Sequence, residues 1–286
     1  MKQLILTADD FGLATCVNDA VAEAHRHGVL TSASLMVGGL AFEDAVRRAR
    51  QTQTLAVGLH LVLLQGRATL SPRHIPDLVD ARGCFRTSAV GTGFRYFFQP
   101  RLRAQLEAEI RAQIEKFLAT GLFMDQINGH LNIHMHPTVW SIIRKLADEY
   151  RIRAVRISSQ PWWQAMTHHR HQPIYKTLHA IAFRPLAMRA RSSLQGTGIH
   201  CATRVHGLLE SGNANENYLL ALLPLLPDGL TEIYFHPAKT PCEEFRRWNP
   251  AYNAEGELEA LTSPRVKDSV RQSEIELVTY SNSKGH

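Results

Sequence analysis

No run of about 20 apolar residues occurs in this 286-residue chain, so no membrane-spanning helix is expected. The first residues lack a charged stretch and a small-residue cleavage site. They run directly into Leu4-Ile5-Leu6, which reads as a strand rather than a signal peptide and points to a cytoplasmic protein. Cysteine is scarce: Cys16, Cys84, Cys201 and Cys242 are far apart and form no Cys-x-x-Cys pair. They read as reduced core or surface thiols with no part in the chemistry. Internal repeats, linkers and low-complexity tracts are absent, as are recognisable RNA- or DNA-binding motifs, so no nucleic-acid partner is expected. Acid is missing locally. Between Glu149 and Glu210 there is no Asp or Glu, while Arg151, Arg153, Arg156, Arg170, Lys176, Arg184, Arg189, Arg191 and Arg204 fall there. That window alone carries more positive charge than the net +6 of the chain, and reads either as a field for an anionic partner or as a solvated basic face.

With 44% hydrophobic residues the chain can bury a large core, and strand and helix patterns alternate along it. Strands are expected at Gln3–Ala8, Thr31–Val37, Leu55–Leu61, Phe123–Asn128, Arg153–Ile157, Leu230–Phe235 and Ile275–Tyr280. Helices are expected at Thr15–His27, closed by Gly28, at Ala41–Arg50, and from Pro100 to the residues before Gly121. Further helices fall at Thr138–Arg151, Leu178–Ala190, Asn215–Leu226 and near Pro264–Gln272. Residues 65–98 have scattered Gly and Pro and no clear period, and read as a long loop or insertion. Repeated βα units joined without a break predict one α/β domain over residues 1–286, a parallel-stranded barrel or sheet.

The polar residues that interrupt this pattern share a register. Asp9 and Asp10 follow the first strand, His60 ends the third, and His130, His134 and His136 follow the Phe123–Asn128 strand. Arg156 ends the next strand, and His236 ends Leu230–Phe235. In a βα barrel the carboxyl ends of the strands form one face, where active sites are built. Adjacent Asp9 and Asp10 suit a metal on one carboxylate and a proton on the other, or a turn leading to Gly12. His60 reads as a ligand or as a buried histidine bonded to a carbonyl. Histidines at i, i+4 and i+6 from 130 read as metal-site spacing or as a chance cluster among fifteen. Asp plus imidazoles form a mixed O/N set suited to a divalent ion, and His236 suits proton donation to a leaving amine. Arg156 orients a carboxylate, binds substrate or makes a surface ion pair.

Thr-Ala-Asp-Asp-Phe-Gly at 7–12, Gly-Leu-His-Leu at 58–61, His-x-x-x-His-x-His-Pro at 130–137 and Phe-His-Pro at 235–237 resemble, in this order, the YdjC-like carbohydrate deacetylases. The resemblance covers nearly the whole chain. It implies a single deformed (β/α) TIM-like barrel, one divalent metal ion (zinc or magnesium), and hydrolysis of an acetamido group on a sugar. Carried over by position, Asp10, His60 and His130 are the metal ligands, Asp9 the general base and His236 the general acid. His134, Arg156 and Asn132 are expected to contact substrate or support the ligands. Where the broader family reads Asp-Ser-His-His-His-Val-His, this chain has Asn-Gly-His-Leu-Asn-Ile-His, with Asn128 and Asn132 standing for an acid and a histidine. That form points away from a chitin disaccharide and is similar to the subgroup associated with hopanoid biosynthesis, which implies N-acetylglucosamine on a polycyclic lipid. Expected partners are therefore an N-acetylated sugar or glycolipid and, through the Trp- and Arg-bearing segment 161–191, the inner membrane face. A homodimer is compatible with the chain. The rival readings are a metal-dependent phosphoesterase with two or three ions and a non-catalytic lipid- or carbohydrate-binding barrel.

Overall fold

A computed structural model of the chain describes residues 1–160 and 173–283; for residues 173–180 and 182 only the backbone enters the description. Seven strands form one all-parallel sheet. Its centre is β1 (Lys2–Phe11), flanked by β2 (Ser32–Leu35) and β6 (Gly229–Phe235). β3 (Ala56–Leu61) and β4 (Met124–Gly129) extend one side, and β5 (Arg204–His206) the other. β7 (Ile275–Leu277) pairs with the Lys2–Leu4 end of β1. Leu4, Ile5, Leu6 and Ala8 are all buried, as expected of a parallel sheet covered on both faces.

Helices cover the sheet: α1 (Thr15–His27), α2 (Phe42–Gln51), α3 (Ala89–Phe98), α4 (Leu102–Leu118), α5 (Pro137–Glu149), α6 (Pro173–Leu194), α7 (Glu216–Leu222), α8 (Glu243–Trp248), α9 (Ala254–Thr262) and α10 (Pro264–Gln272). The apolar stripe of α4 buries Leu102, Leu106, Ile110, Ile114 and Phe117 as its spacing requires. α5 starts where its sequence says it should: Pro137 occupies the first turn, and His136 Nδ1 accepts the Thr138 amide. Among the described residues no helix is long and apolar enough to cross a membrane.

Several expectations need correction. The sheet curls but does not close into a barrel of continuous ladders. Beyond β4 the Arg153–Ile157 segment contributes isolated bridges, Ile127 to Val155 and Ala154 to His200, rather than a strand. Strand β1 runs through Asp9 and Asp10 instead of stopping before them. Segment 65–98 is not all loop, since it ends in α3. That helix contains two glycines, and the only residues it buries are Thr92 and Tyr96, so no apolar period announces it. The insertion is tied down by polar contacts: buried Glu109 of α4 accepts the Thr69 and Leu70 amides, and the Tyr96 hydroxyl donates to the Leu63 carbonyl. β5, α8 and α9 are short elements that the periodicity did not reveal. The proposed interfacial segment 161–191 lies outside the described residues over 161–172. Beyond that, Ile181 and Met188 are exposed while Phe183 packs beside Leu208 and Leu209.

Gly58 keeps β3 close to β4. A Cβ there would lie 2.5 Å from the Gln126 carbonyl oxygen and 2.6 Å from Gln126 Nε2, and that same side-chain amide donates to Ser34 Oγ. Gly58→Ala is expected to destabilise the fold by about 1–3 kcal/mol, the usual cost of overpacking. A urea midpoint unchanged from wild type would contradict this close approach.

Candidate active site

Successive strand residues point to opposite faces, so Asp9 and Asp10 on one regular strand would diverge. They do not, because the β1–β2 register shifts between Ala8 and Phe11 and Asp10 takes φ +62°. Left-handed backbone is strained for most residues but tolerated by aspartate. Gly12 follows at φ +93°, its amide held by Asn18 Oδ1, and the Leu13 amide closes the turn on the Asp10 carbonyl. The bulge turns both carboxylates into the buried site at the carboxyl end of the sheet.

Asp10 is the meeting point of two imidazoles. His130 Nδ1 lies 3.0 Å from its Oδ1, and His60 Nε2 lies 3.3 Å from the same oxygen but without hydrogen-bond alignment. The donor atoms of Asp10, His60 and His130 lie within 4.8 Å of one another, a grouping that could hold a metal ion. The tautomer of His60 is fixed from behind. Its Nδ1–H donates to Asn128 Oδ1 (2.7 Å), leaving Nε2 turned toward Asp10 with no aligned hydrogen bond among the described residues. Asn128 in turn donates to Asp9 Oδ1 and Ser34 Oγ. The Asn249 amide reaches Asp10 Oδ2 at 3.3 Å.

Asp9 faces a different partner. Arg156, almost wholly buried, forks onto it with Nη1 2.5 Å from Oδ2 and Nη2 3.0 Å from Oδ1, and Nη2 also donates to Glu232 Oε1. Glu232 further accepts the hydroxyls of Thr7 and Tyr280, and the guanidinium stacks over the Tyr234 ring. Burial opposes ionisation of Asp9, but the Arg156 charge overrides it and holds the carboxyl at about 2. Burial likewise opposes ionisation of Asp10, and His130 and His60 hold it well below the usual carboxylate range. His60 is raised: burial would lower it, yet Asp9 and Asp10 outweigh that. Both carboxylates therefore favour a positive charge at this point, whether a proton or a metal.

His236 follows β6. Its ring lies 4.9 Å from Tyr252 and 5.8 Å from Tyr234, its Nδ1 has no partner among the described residues, and burial lowers its pKa against the pull of Asp10 and Asp9. Its amide donates to Glu257 Oε2 and the Ala214 amide to Glu257 Oε1, while burial pushes that carboxyl up to about 7.

The remaining sequence candidates divide. His134 is outside the Asp/His/His group: its Nε2–H donates to the Arg156 carbonyl, and burial, then Arg156, pushes its pKa down to about 3. His136 caps α5 and bonds the Gly93 carbonyl. Arg156 is no surface ion pair. Asn132, at φ +56°, accepts the Ser158 hydroxyl and reaches toward the Tyr234 hydroxyl. Sequence reasoning missed Asn128 as a support of His60, and also Glu232, Asn249 and Glu257. Only Glu232 left a signal, a charge inside the apolar run Leu230–Phe235.

Fold and site together define an α/β protein with a buried carboxylate–imidazole centre at the carboxyl end of a curled parallel sheet. The chain belongs to the YdjC-like protein family, whose sequence model matches residues 3–272. It is similar to proteins named carbohydrate deacetylase, 32% identical in Brevibacillus brevis over 98% of both chains, and 29% identical in Vibrio parahaemolyticus over 98% of this chain and 95% of that one. A solved structure from Enterococcus faecalis V583, of a protein named for cellobiose-phosphate cleavage, superposes with TM-score 0.75 at 25% identity over 98% of each chain.

Removing the cation from this network should be costly. Arg156→Met leaves Asp9 and Glu232 buried without their guanidinium and is expected to destabilise by about 3–5 kcal/mol. Asp9 sits at about 2 in the fold, below its unfolded value of about 3.9. Its contribution is thus complete above pH ~4 and lost as pH falls toward ~2, and Arg156→Met should remove that part of the acid limb. Chemical denaturation followed across pH checks both, and an Arg156→Met protein with wild-type stability and acid limb would contradict them.

Proposed function

We propose that this chain is a metal-dependent hydrolase that removes the acetyl group from an N-acetylated amino sugar. The observation that carries the reading is the convergence of Asp10, His60 and His130, with a buried His60 Nε2 that makes no aligned hydrogen bond among the described residues, beside an ionised Asp9. The carbohydrate deacetylase name of relatives aligned over 98% of the chain supports it.

The residues fit a divalent ion. Their donor set is mixed oxygen and nitrogen, and Asp9, Asp10 and Glu232 are buried together against the single guanidinium of Arg156. We read the ion as zinc or magnesium; when bound, it polarises the amide carbonyl and makes water a usable nucleophile near neutral pH. Asp9 takes the proton of the attacking water. Arg156 keeps Asp9 ionised for that task, and Asp9 Oδ2, with Arg156 Nη1 as its one hydrogen-bond donor among the described residues, has a lone pair to offer. His236 hands a proton to the departing amine through its open Nδ1. Burial makes its imidazolium a stronger acid than a free one, which favours that transfer. Asn128 and Glu257 keep the two imidazoles His60 and His236 in position.

The substrate we infer is N-acetylglucosamine on a hopanoid-type lipid or an oligosaccharide. An apolar aglycone is supported by exposed Phe94, Phe97 and Phe98 on α3 and by exposed Leu131 next to His130. α3 packs on the same segment through the bond from His136 to the Gly93 carbonyl. We read the fold as a deformed TIM-like barrel, supported by the bridges through Val155 and Ala154, and the enzyme as cytoplasmic, working at the inner membrane face. A phosphoesterase with two or three ions gains no support, since among the described residues one Asp/His/His group gathers.

Metal analysis tests the ligand set: His60→Ala and His130→Ala are each expected to lose most of the bound divalent ion, and unchanged content in both would end the assignment. Acetate release from a panel of N-acetylated glycosides and glycolipids, with and without added metal, tests the reaction. There Asp9→Asn should retain metal while kcat falls at least ~10²-fold, the usual size of general-base loss. His236→Ala should lose most with poor leaving amines. Wild-type turnover in both variants would refute the acid and base roles.

A further inference from the structure

Two of the four cysteines, 226 positions apart in the chain, meet in the fold. Cys16 Sγ and Cys242 Sγ lie 2.8 Å apart, with both side chains free thiols. Backbone contacts already join the segments that carry them: the Lys239 amide donates to the Cys16 carbonyl at 2.9 Å, and the Cys242 amide reaches Cys16 Sγ at 3.4 Å. A covalent S–S bond therefore needs the sulfurs to close by only roughly 0.8 Å. The position is equally specific. Cys16 lies six residues after Asp10, at the start of α1, and Cys242 lies six residues after His236, at the start of α8. The residues after α8 include Asn249, whose amide touches Asp10.

We propose that Cys16 and Cys242 form a reversible disulfide that fastens the loop leaving Asp10 to the loop leaving His236. Cys242 is partly exposed and Cys16 buried, so an external disulfide such as oxidised glutathione meets Cys242 first. The Cys242 thiolate attacks one glutathione sulfur, breaking that S–S bond and releasing one glutathione thiolate. Cys16 then attacks Cys242 Sγ and expels the second glutathione as a thiolate, and the two protons given up by Cys242 and Cys16 go to the two glutathione thiolates. Two S–H bonds are lost and one S–S bond is made, while glutathione disulfide is reduced to two thiols. In the reduced protein, burial, with the hydrogen bond from Cys242, pushes the Cys16 thiol up to about 11, so Cys16 stays a thiol near neutral pH. Cys84 and Cys201 have no such neighbour among the described residues.

The test uses the full chain, reduced and then equilibrated in glutathione buffers of increasing oxidised fraction. Thiol titration of the denatured protein should fall from four groups to two, and peptide mass analysis should find the Cys16 peptide joined to the Cys242 peptide. The oxidised protein should melt roughly 5 °C or more higher, an increment that a reductant erases. Cys16→Ser and Cys242→Ser should each abolish both the cross-link and the melting shift, and Cys84→Ser with Cys201→Ser should abolish neither. Four titratable thiols at the most oxidising ratio, a cross-link that joins any other pair, or a shift that survives Cys242→Ser would overturn the proposal. None of these readouts depends on catalysis, so the result stands apart from the deacetylase reading.

Discussion

The buried guanidinium of Arg156 is the constraint around which the interior is arranged. Its fork holds Asp9, its Nη2 also holds Glu232, its plane lies over Tyr234, and its carbonyl accepts from His134. Those partners come from β1, β6 and the segment after β4, so this one residue, by side chain and carbonyl, ties three parts of the curled sheet together. An apolar residue here would leave Asp9 and Glu232 buried without their counter-charge; only replacing the cation together with both carboxylates would escape that cost. Arginine also acts on Asp9: burial works against ionisation of that carboxyl, and the guanidinium outweighs it and holds the group at about 2.

The same logic governs Asp10, whose charge is answered by imidazoles instead of a guanidinium. To bring adjacent carboxylates to one place the chain accepts a register shift in its central strand and a left-handed aspartate. Leu131 and Asn132, immediately after His130, are also left-handed, at φ +50° and +56°. Strain of this kind persists only where surrounding structure overdetermines it. Here the overdetermination is visible as Gly12 bound to Asn18, and Asn132 held by Ser158. Asn128 is the complement: an amide in that position accepts from His60 and donates to Asp9 at once, linking the two carboxylate systems without adding a third negative charge.

What could be read from the sequence follows from range. Helices with long apolar stripes and strands buried on both faces carry their signal locally, which is why α4, α10 and β6 stand close to where periodicity puts them. The register of Asp9, Asp10, His60, His130 and His236 at strand ends was legible for the same reason. α3 was not, because its stability comes from Tyr96 and from the α4 contacts of the segment before it rather than from a stripe of its own. Arg156 was legible in part, since orienting a carboxylate was among its expected roles, but its second partner Glu232, 76 positions away, was not. The cysteines are the sharpest case: spacing along the chain says nothing about sulfurs brought together by two loops.

Glu257 completes the picture at the end of β6. Its two oxygens are both committed to backbone amides, those of His236 and Ala214, so it does not titrate the His236 ring directly but fixes the backbone from which the ring extends. Burial pushes it to about 7, which is the cost of using a carboxylate as a brace in a dry interior. Asp9, held at about 2 by a guanidinium, and Glu257, left without a cation, are thus the same chemical group set apart by what surrounds them. The first is kept charged beside Asp10 and the two imidazoles. The second is spent on holding a histidine in place, and the difference between them is decided by Arg156.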